Sequence, residues 1–450
     1  MMMESDSNSS CGSVVLSGNV YGDDGIAFAL EARVALLVAS MFFAGKAAKM
    51  LGIAPLLGQI LAGIVLGPPL ADLIPYADAF KLLGKLGILL YVIEGGLDLE
   101  FEQVRRHAAR AFCAAFVGVL CPLGLSFLFL TIFPPNVDIS SKGKIAAGAA
   151  VAPTSLGFTA SLLAAYGDDK TDLGVTVCVT AVLDDILSLL LLSEIQALGE
   201  ARITAWNITK PILASFLSVI LGVTICIAMP SIIHNVKNRA PFLLRSGFVP
   251  LILLISLALS YFCAAIGSSD LLGSFLGGIA FSKAREAKTD WETQCKRITQ
   301  WGTRFFFAAT IGFAVPSLVD AGSLFDAASI ATGGGLFFAG LFGKLALGVF
   351  AKPPRTYTSF LKFGFAMAGR GEFGFIISEQ AYNEHLFDSY TYSGVIWSLL
   401  GNCVASSVGF RFVSASRSEG ATSTASSSLP SETRNANAAA AQDTTTITAV

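Results

Sequence analysis

Apolar positions along this chain do not follow the two-residue alternation of a half-exposed strand. They run in blocks of about 20 residues set off by clusters of Gly, Pro and charge, the length a helix needs to cross hydrocarbon. Thirteen blocks can be counted: Leu30–Ala48, Ala54–Pro69, Leu82–Leu99, Ala108–Phe133, Ile145–Tyr166, Leu173–Ala197, Trp206–Pro230, Phe248–Ile266, Leu271–Phe281, Trp301–Val319, Ala328–Phe350, Phe360–Tyr382 and Tyr392–Val413. A backbone in lipid must satisfy its own hydrogen bonds, so the pattern predicts an all-α polytopic membrane protein of about 13 transmembrane helices.

The two ends break the pattern. Residues 1–25 are rich in Ser, Asn and Gly and have no basic stretch ahead of a short apolar core, so they are expected to form a loose tail and not a cleavable signal. Residues 414–450 turn to Ser, Thr, Ala and Asn, a composition too polar to bury a core, and are expected to be a second disordered tail. One transmembrane domain, 26–413, lies between them.

Composition adds little to this except exclusions. With 54% hydrophobic and 14% charged residues, where soluble domains carry about 25% charged, the bulk of the chain belongs in lipid. A net charge of −2 gives no reason to expect nucleic acid. The eight cysteines, among them Cys113, Cys178, Cys226 and Cys263, lack metal-ligand spacing and are expected to pack as small hydrophobes. No cofactor or resident metal is implied, and no nucleophile–base pair suggests an enzyme.

Basic residues are distributed unevenly among the connections. Lys46 and Lys49, Arg105, Arg106 and Arg110, Lys237, Arg239 and Arg245, Lys283 through Arg297, and Lys352 and Arg355 fall on one side, which the positive-inside rule makes cytoplasmic. Connections at 267–270, 320–327 and 383–389 carry no Lys or Arg. The N-terminus is then expected outside or in a lumen and the C-terminus in the cytoplasm. Sequons at Asn8 and Asn207 fall on the external side.

The halves resemble each other at an offset of roughly 215 residues. Leu56 through Ile64 (Leu-Leu-Gly-Gln-Ile-Leu-Ala-Gly-Ile) matches Leu271 through Ile279 (Leu-Leu-Gly-Ser-Phe-Leu-Gly-Gly-Ile) at six of nine positions. Near that offset Gly96-Leu97 meets Gly312-Phe313, and Gly157-Phe158 meets Gly374-Phe375. If the eighth block restarts the first, an odd number of crossings separates them and the repeats are inverted. Repeat one covers about 30–197 and repeat two about 248–413, with a linker helix at about 206–230.

Ionisable groups at membrane depth are costly and therefore candidates for function. Asp184 and Asp185 sit in the middle of the sixth block, Ala181-Val182-Leu183-Asp184-Asp185-Ile186. Neighbours on a helix project about 100° apart, so one can face an ion path while the other finds a different partner. A buried carboxylate beside another holds its proton more tightly, which lets a proton and a hard cation compete for the same oxygens. In the fifth block Pro153, Thr154 and Ser155, and in the twelfth Gly369, Arg370, Gly371 and Glu372, are expected to break their helices near mid-membrane. Freed carbonyls and the Thr154 and Ser155 hydroxyls would supply oxygen ligands to a cation. Arg370 and Glu372 would neutralise each other or the half-helix ends, a structural role. Lys344 has no carboxylate within its own helix turn, leaving Asp184 across the bundle as its partner or snorkelling as the alternative. Glu94, near the end of the third block, either guards an ion entrance or satisfies a neighbour.

Together these residues resemble the cation:proton antiporter superfamily, in its Kef/NapA-type branch, from about Leu36 to Phe412. The stretch Leu57 through Pro68 is similar to that branch's second-helix signature, and Phe305-Phe306-Phe307, Gly343-Lys344-Leu345 and Arg370 through Phe375 to its late motifs. The resemblance implies a dimerising scaffold domain beside a mobile core in which the fifth and twelfth segments cross as broken helices. It further implies that Asp185 carries the cation or proton, while Asp184 pairs with Lys344 and releases it during the cycle. A homodimer exchanging Na⁺, with K⁺ as a second candidate, for H⁺ by alternating access is expected, and the Asp-Asp pair favours electrogenic exchange. The chain departs from the branch at Glu94, a site usually apolar there, and at Pro153, which stiffens the first break. It also stops soon after the thirteenth block, so a nucleotide-binding regulatory domain is not expected. A sodium-coupled organic anion symporter of similar inverted-repeat architecture is the alternative, and a sensor or channel a more remote one.

Overall fold

The computed structural model describes residues 23–51, 55–99, 101–133, 139–199, 205–239, 247–299, 304–314, 325–352 and 356–427. The first 22 residues, the last 23, the Asn8 sequon, the Asn207 side chain, Arg245 and Arg355 lie outside what is described. Among the described residues every regular element is helical: α1 (Asp23–Met50), α2 (Pro55–Leu66), α3 (Ala77–Leu97), α4 (Phe101–Ile132), α5 (Ser141–Val151), α6 (Leu156–Ala165), α7 (Asp172–Leu198), α8 (Ala205–Arg239), α9 (Val249–Ile266), α10 (Asp270–Phe281), α11 (Arg285–Gln294), α12 (Arg304–Ala314), α13 (Ala327–Leu345) with a 3₁₀ turn at Ala346–Phe350, α14 (Tyr357–Ala368), α15 (Glu372–Asn383) and α16 (Ser389–Ser427). Eight helical stretches are long and apolar enough to cross a membrane, and α2 and α10 are shorter apolar helices. The chain is a multi-pass integral membrane protein.

Several boundaries differ from the sequence pattern for identifiable reasons. The fifth and twelfth blocks are each two helices, α5/α6 and α14/α15, parted by the non-helical residues 152–155 and 369–371. Pro230, which closes the seventh block, does not end α8, because a membrane helix tolerates the one lost backbone bond. α11 is charged and has no counterpart among the blocks; Ala287 and Trp291, one turn apart, give it a narrow buried face. α16 runs on to Ser427, past the point where composition turns polar, since Ser and Ala do not oppose a helix already nucleated by the apolar segment before them.

Packing divides the helices into two groups. In one, α2 packs on α1, α10 on α9, and α3, α8 and α12 join them through α10 and α2. In the other, α4 holds α5, α7 and α13, while α16 holds α13 and α14 and α15 rests on α5. Contact between the groups is thinner and passes through α7 with α8 and α10, and α12 with α15.

Within the first group the close approaches recur at one spacing. Gly58 abuts the backbone of Ala44, and Gly273 abuts that of Leu259, both residues 215 positions further on. Gly63 meets Ala308 as Gly278 meets Ile93, again with partners exchanged at that offset, and Gly278 also lies against Gly96. A Cβ at Gly58, Gly273 or Gly278 has no room, and one at Gly63 would be tight, which is why helices cross there with backbones touching. Gly334, in contrast, has open space at its Cβ position. Gly278→Ala should therefore lower thermal stability in detergent by about 1–3 kcal/mol, the cost of overpacking, whereas Gly334→Ala should leave the melting temperature unchanged or raise it slightly.

Candidate ion site at the crossing of two broken helices

Each break exposes backbone groups that a continuous helix would have paired internally, and a buried site must find them partners. Some of these find partners across the crossing. Ser155 N donates to Gly369 O at 2.9 Å, and the Thr154 hydroxyl donates to Met367 O at 2.9 Å. One turn into α6, the Thr159 hydroxyl donates to Ala366 O, also at 2.9 Å. Ser155 also caps α6, its Oγ accepting from Phe158 N at 3.3 Å. Of the hydroxyls expected as cation ligands, that of Thr154 thus ties the crossing together and that of Ser155 caps α6, and both keep oxygen lone pairs besides.

The remaining groups are met from α7, α13, α16 and the second break itself. Thr154 N donates to Asp184 Oδ2 at 2.6 Å, and Lys344 Nζ donates to Asp184 Oδ1 at 3.0 Å, both side chains being fully buried. Asp184 is therefore occupied on both oxygens. Asp185, only 8% exposed, has Oδ1 buried with no hydrogen-bond partner among the described residues. The charges that act on Asp185 are Glu372, Asp184 and Lys344.

Arg370 satisfies carbonyls. Its Nη1 donates to Ala152 O at 3.1 Å and Pro153 O at 3.4 Å, and Nη2 to Gly340 O at 2.7 Å. Of the two structural roles open to it, the guanidinium fills the one at a half-helix end, where α5 presents unpaired carbonyls and partial negative charge. Glu372 is the first residue of α15, buried, where an acid suits the positive end of the half-helix. Glu94 lies on α3 in the other helix group, where its charge acts on Cys295.

A cavity of about 710 Å³ opens between the groups, with α2, α3 and α12 on one wall and α6 and α15 on the other. Exposed Lys49 and Arg411 stand on its rim, and buried Ser155, Arg370 and Glu372 line its inner end.

Two features were missed by the sequence pattern. Cys403, taken for a packing residue, accepts a hydrogen bond from Arg370 N and donates one to Arg370 O, both at 3.2 Å. Nothing in the chain marks it, because its partner is backbone 33 positions away. Lys362 forms a buried ion pair with Asp168 and lies 5.6 Å from the centre of the Phe410 ring. A lysine between Leu361 and Phe363 in an apolar run was a visible signal.

Residues 36–414 match the family model described as sodium/hydrogen exchanger, transmembrane. The chain belongs to this sodium/hydrogen exchanger family. Among its relatives, the high-affinity Na⁺/H⁺ antiporter NhaS3 of Synechocystis sp. is 25% identical over 393 residues, covering 77% of this chain and 82% of that protein. The Na⁺/H⁺-K⁺ antiporter GerN of Bacillus cereus is 24% identical, with 56% of this chain matched to 63% of it. The solved structure of the sodium proton antiporter MjNhaP1 from Methanocaldococcus jannaschii shares the fold, with a TM-score of 0.65 at 14% identity over 86% of this chain and 98% of that one. Membership of the exchanger family removes support from the organic anion symporter alternative.

The geometry makes a stability prediction that does not depend on transport. Removing one partner of a buried ion pair leaves a charge without compensation and costs about 3–5 kcal/mol. Lys344→Ala should lose that much in detergent unfolding, and adding Asp184→Asn, which keeps an acceptor for Thr154 N, should restore most of it.

Proposed function

We propose that this exchanger-family chain is a secondary antiporter moving a monovalent cation, Na⁺ by preference and K⁺ as second candidate, against H⁺ by alternating access. The observation that carries the reading is the inequality of the two aspartates. Asp184 has both oxygens engaged, whereas Asp185, next to the crossing, keeps a buried oxygen with no partner among the described residues. A buried acceptor in that state wants either a proton or a cation, and binding one excludes the other. That exclusion is the least that exchange requires. The family match and relatives named as Na⁺/H⁺ antiporters support the choice of ions.

In this scheme Asp185 carries the ion, with Thr154 and Ser155 oxygens nearby to complete a hard-cation shell. Asp184 and Lys344 form a pair that opens when the cation arrives, so that Lys344 can release a proton and exchange becomes electrogenic. Arg370 and Glu372 hold the crossing in shape. The group containing α4–α7 and α13–α16 is the moving core, and the group containing α1–α3 is the scaffold through which two copies pair as a homodimer. The recurrence of close contacts 215 positions apart supports inverted repeats on either side of α8, and the basic connections support a cytoplasmic C-terminus.

Reconstituted in liposomes with a pH-reporting dye inside, the protein should move protons when Na⁺ or Li⁺ is added, faster when membrane potential is clamped. Asp185→Asn should abolish that movement. Where cation and proton compete at one site, each unit fall in pH should raise the apparent KM for the cation by up to about tenfold. Wild-type exchange by Asp185→Asn would sink the scheme.

A further inference from the structure

We infer that Cys403 is a positioning residue for the ion site: its thiol, by accepting from and donating to the main chain of Arg370 at once, holds the second helix break as Asp184 holds the first.

The two breaks pose the same problem and are answered from corresponding helices. After α5 the chain turns extended, and the N–H of Thr154 is received by a side chain on α7, the last helix of its half. After α14 it turns extended again, and the N–H of Arg370 is received by a side chain on α16, the last helix of the other half. Thr154 and Arg370 are 216 positions apart, close to the spacing at which the first group's contacts recur. The two acceptors differ in kind. A carboxylate only accepts, so Asp184 spends its second oxygen on Lys344. A thiol both accepts and donates, and Cys403 returns its proton to the Arg370 carbonyl. Both main-chain groups of Arg370, orphaned by the break, are thereby satisfied by one neutral atom.

The consequence reaches the ion through the residues on either side. The Arg370 main chain determines where the guanidinium meets Ala152, Pro153 and Gly340, and two residues on it sets Glu372, whose charge acts directly on Asp185. Cys403 itself is 1% exposed and touches neither Asp185 nor the cavity. It acts through Arg370. This role rests on Asp185 being the ion carrier only for its functional effect; the hydrogen bonds stand without it.

Two substitutions separate bonding from packing. Cys403→Ser keeps a donor and an acceptor but loses bulk; Cys403→Val stays apolar and adds a branch of bulk but loses both bonds. Amide hydrogen exchange in peptides spanning 366–374, measured in detergent, should be near wild type for Ser. For Val it should show on the order of tenfold lower protection, as a buried donor loses its acceptor. In liposomes Val should raise KM for the cation several-fold with little change in kcat, and Ser should restore it. Val matching wild type, or Ser and Val departing equally, would overturn the inference. Normal protection changes in a protein that moves no protons would instead count against the antiport scheme and leave Cys403 in its role.

Discussion

Two donors from different segments, one in a helix break and one on a helix, meet on the carboxylate of Asp184, and the arrangement around it holds only while both stay. Thr154 brings the break between α5 and α6, Lys344 brings α13, and Asp184 belongs to α7, so three elements are tied through one fully buried group. In an apolar interior an uncompensated charge is far more expensive than a lost contact. The crossing stretches lean on this tie, since Ser155 N and the Thr154 hydroxyl reach the second break only while the first is held in place.

That occupation gives the neighbouring residue its character. One helical step away, Asp185 projects in another direction and finds Glu372, a second acid, among its charged neighbours. An acceptor left open in a dry setting is normally eliminated from stable folds, because each such group carries a desolvation penalty. Its place beside a fully satisfied twin is the feature on which the proposed ion role of Asp185 rests.

Membrane architecture was legible from the chain because lipid imposes a length on every crossing: among the described residues eight helical stretches are long and apolar enough to cross, with α2 and α10 as shorter apolar helices. The breaks were legible too: Pro153 and the Gly369/Gly371 pair flag them chemically. The aspartates and Lys344 stood out as charges in apolar runs, and the structure brings these three together. What stayed hidden depends on three-dimensional neighbours. Cys403 looks like any small apolar residue until the Arg370 backbone is beside it. The amphipathic α11 has only Ala287 and Trp291 to announce it, too narrow a stripe among its charges. Pro230 misled because a proline is a stop signal in water and a tolerable defect in lipid.

The cavity between the helix groups has a further consequence for hydration. At about 30 Å³ per molecule, its volume of about 710 Å³ has room for on the order of twenty waters. In the proposed antiport a cation entering this space does so among water, and protein oxygens replace its hydration shell only beyond the inner end, where Ser155, Arg370 and Glu372 stand. Closing the space means expelling those waters, so solutes too large to enter it should bias the protein towards its closed form. Osmotic pressure, and not only voltage and pH, would then weigh on which side the site faces.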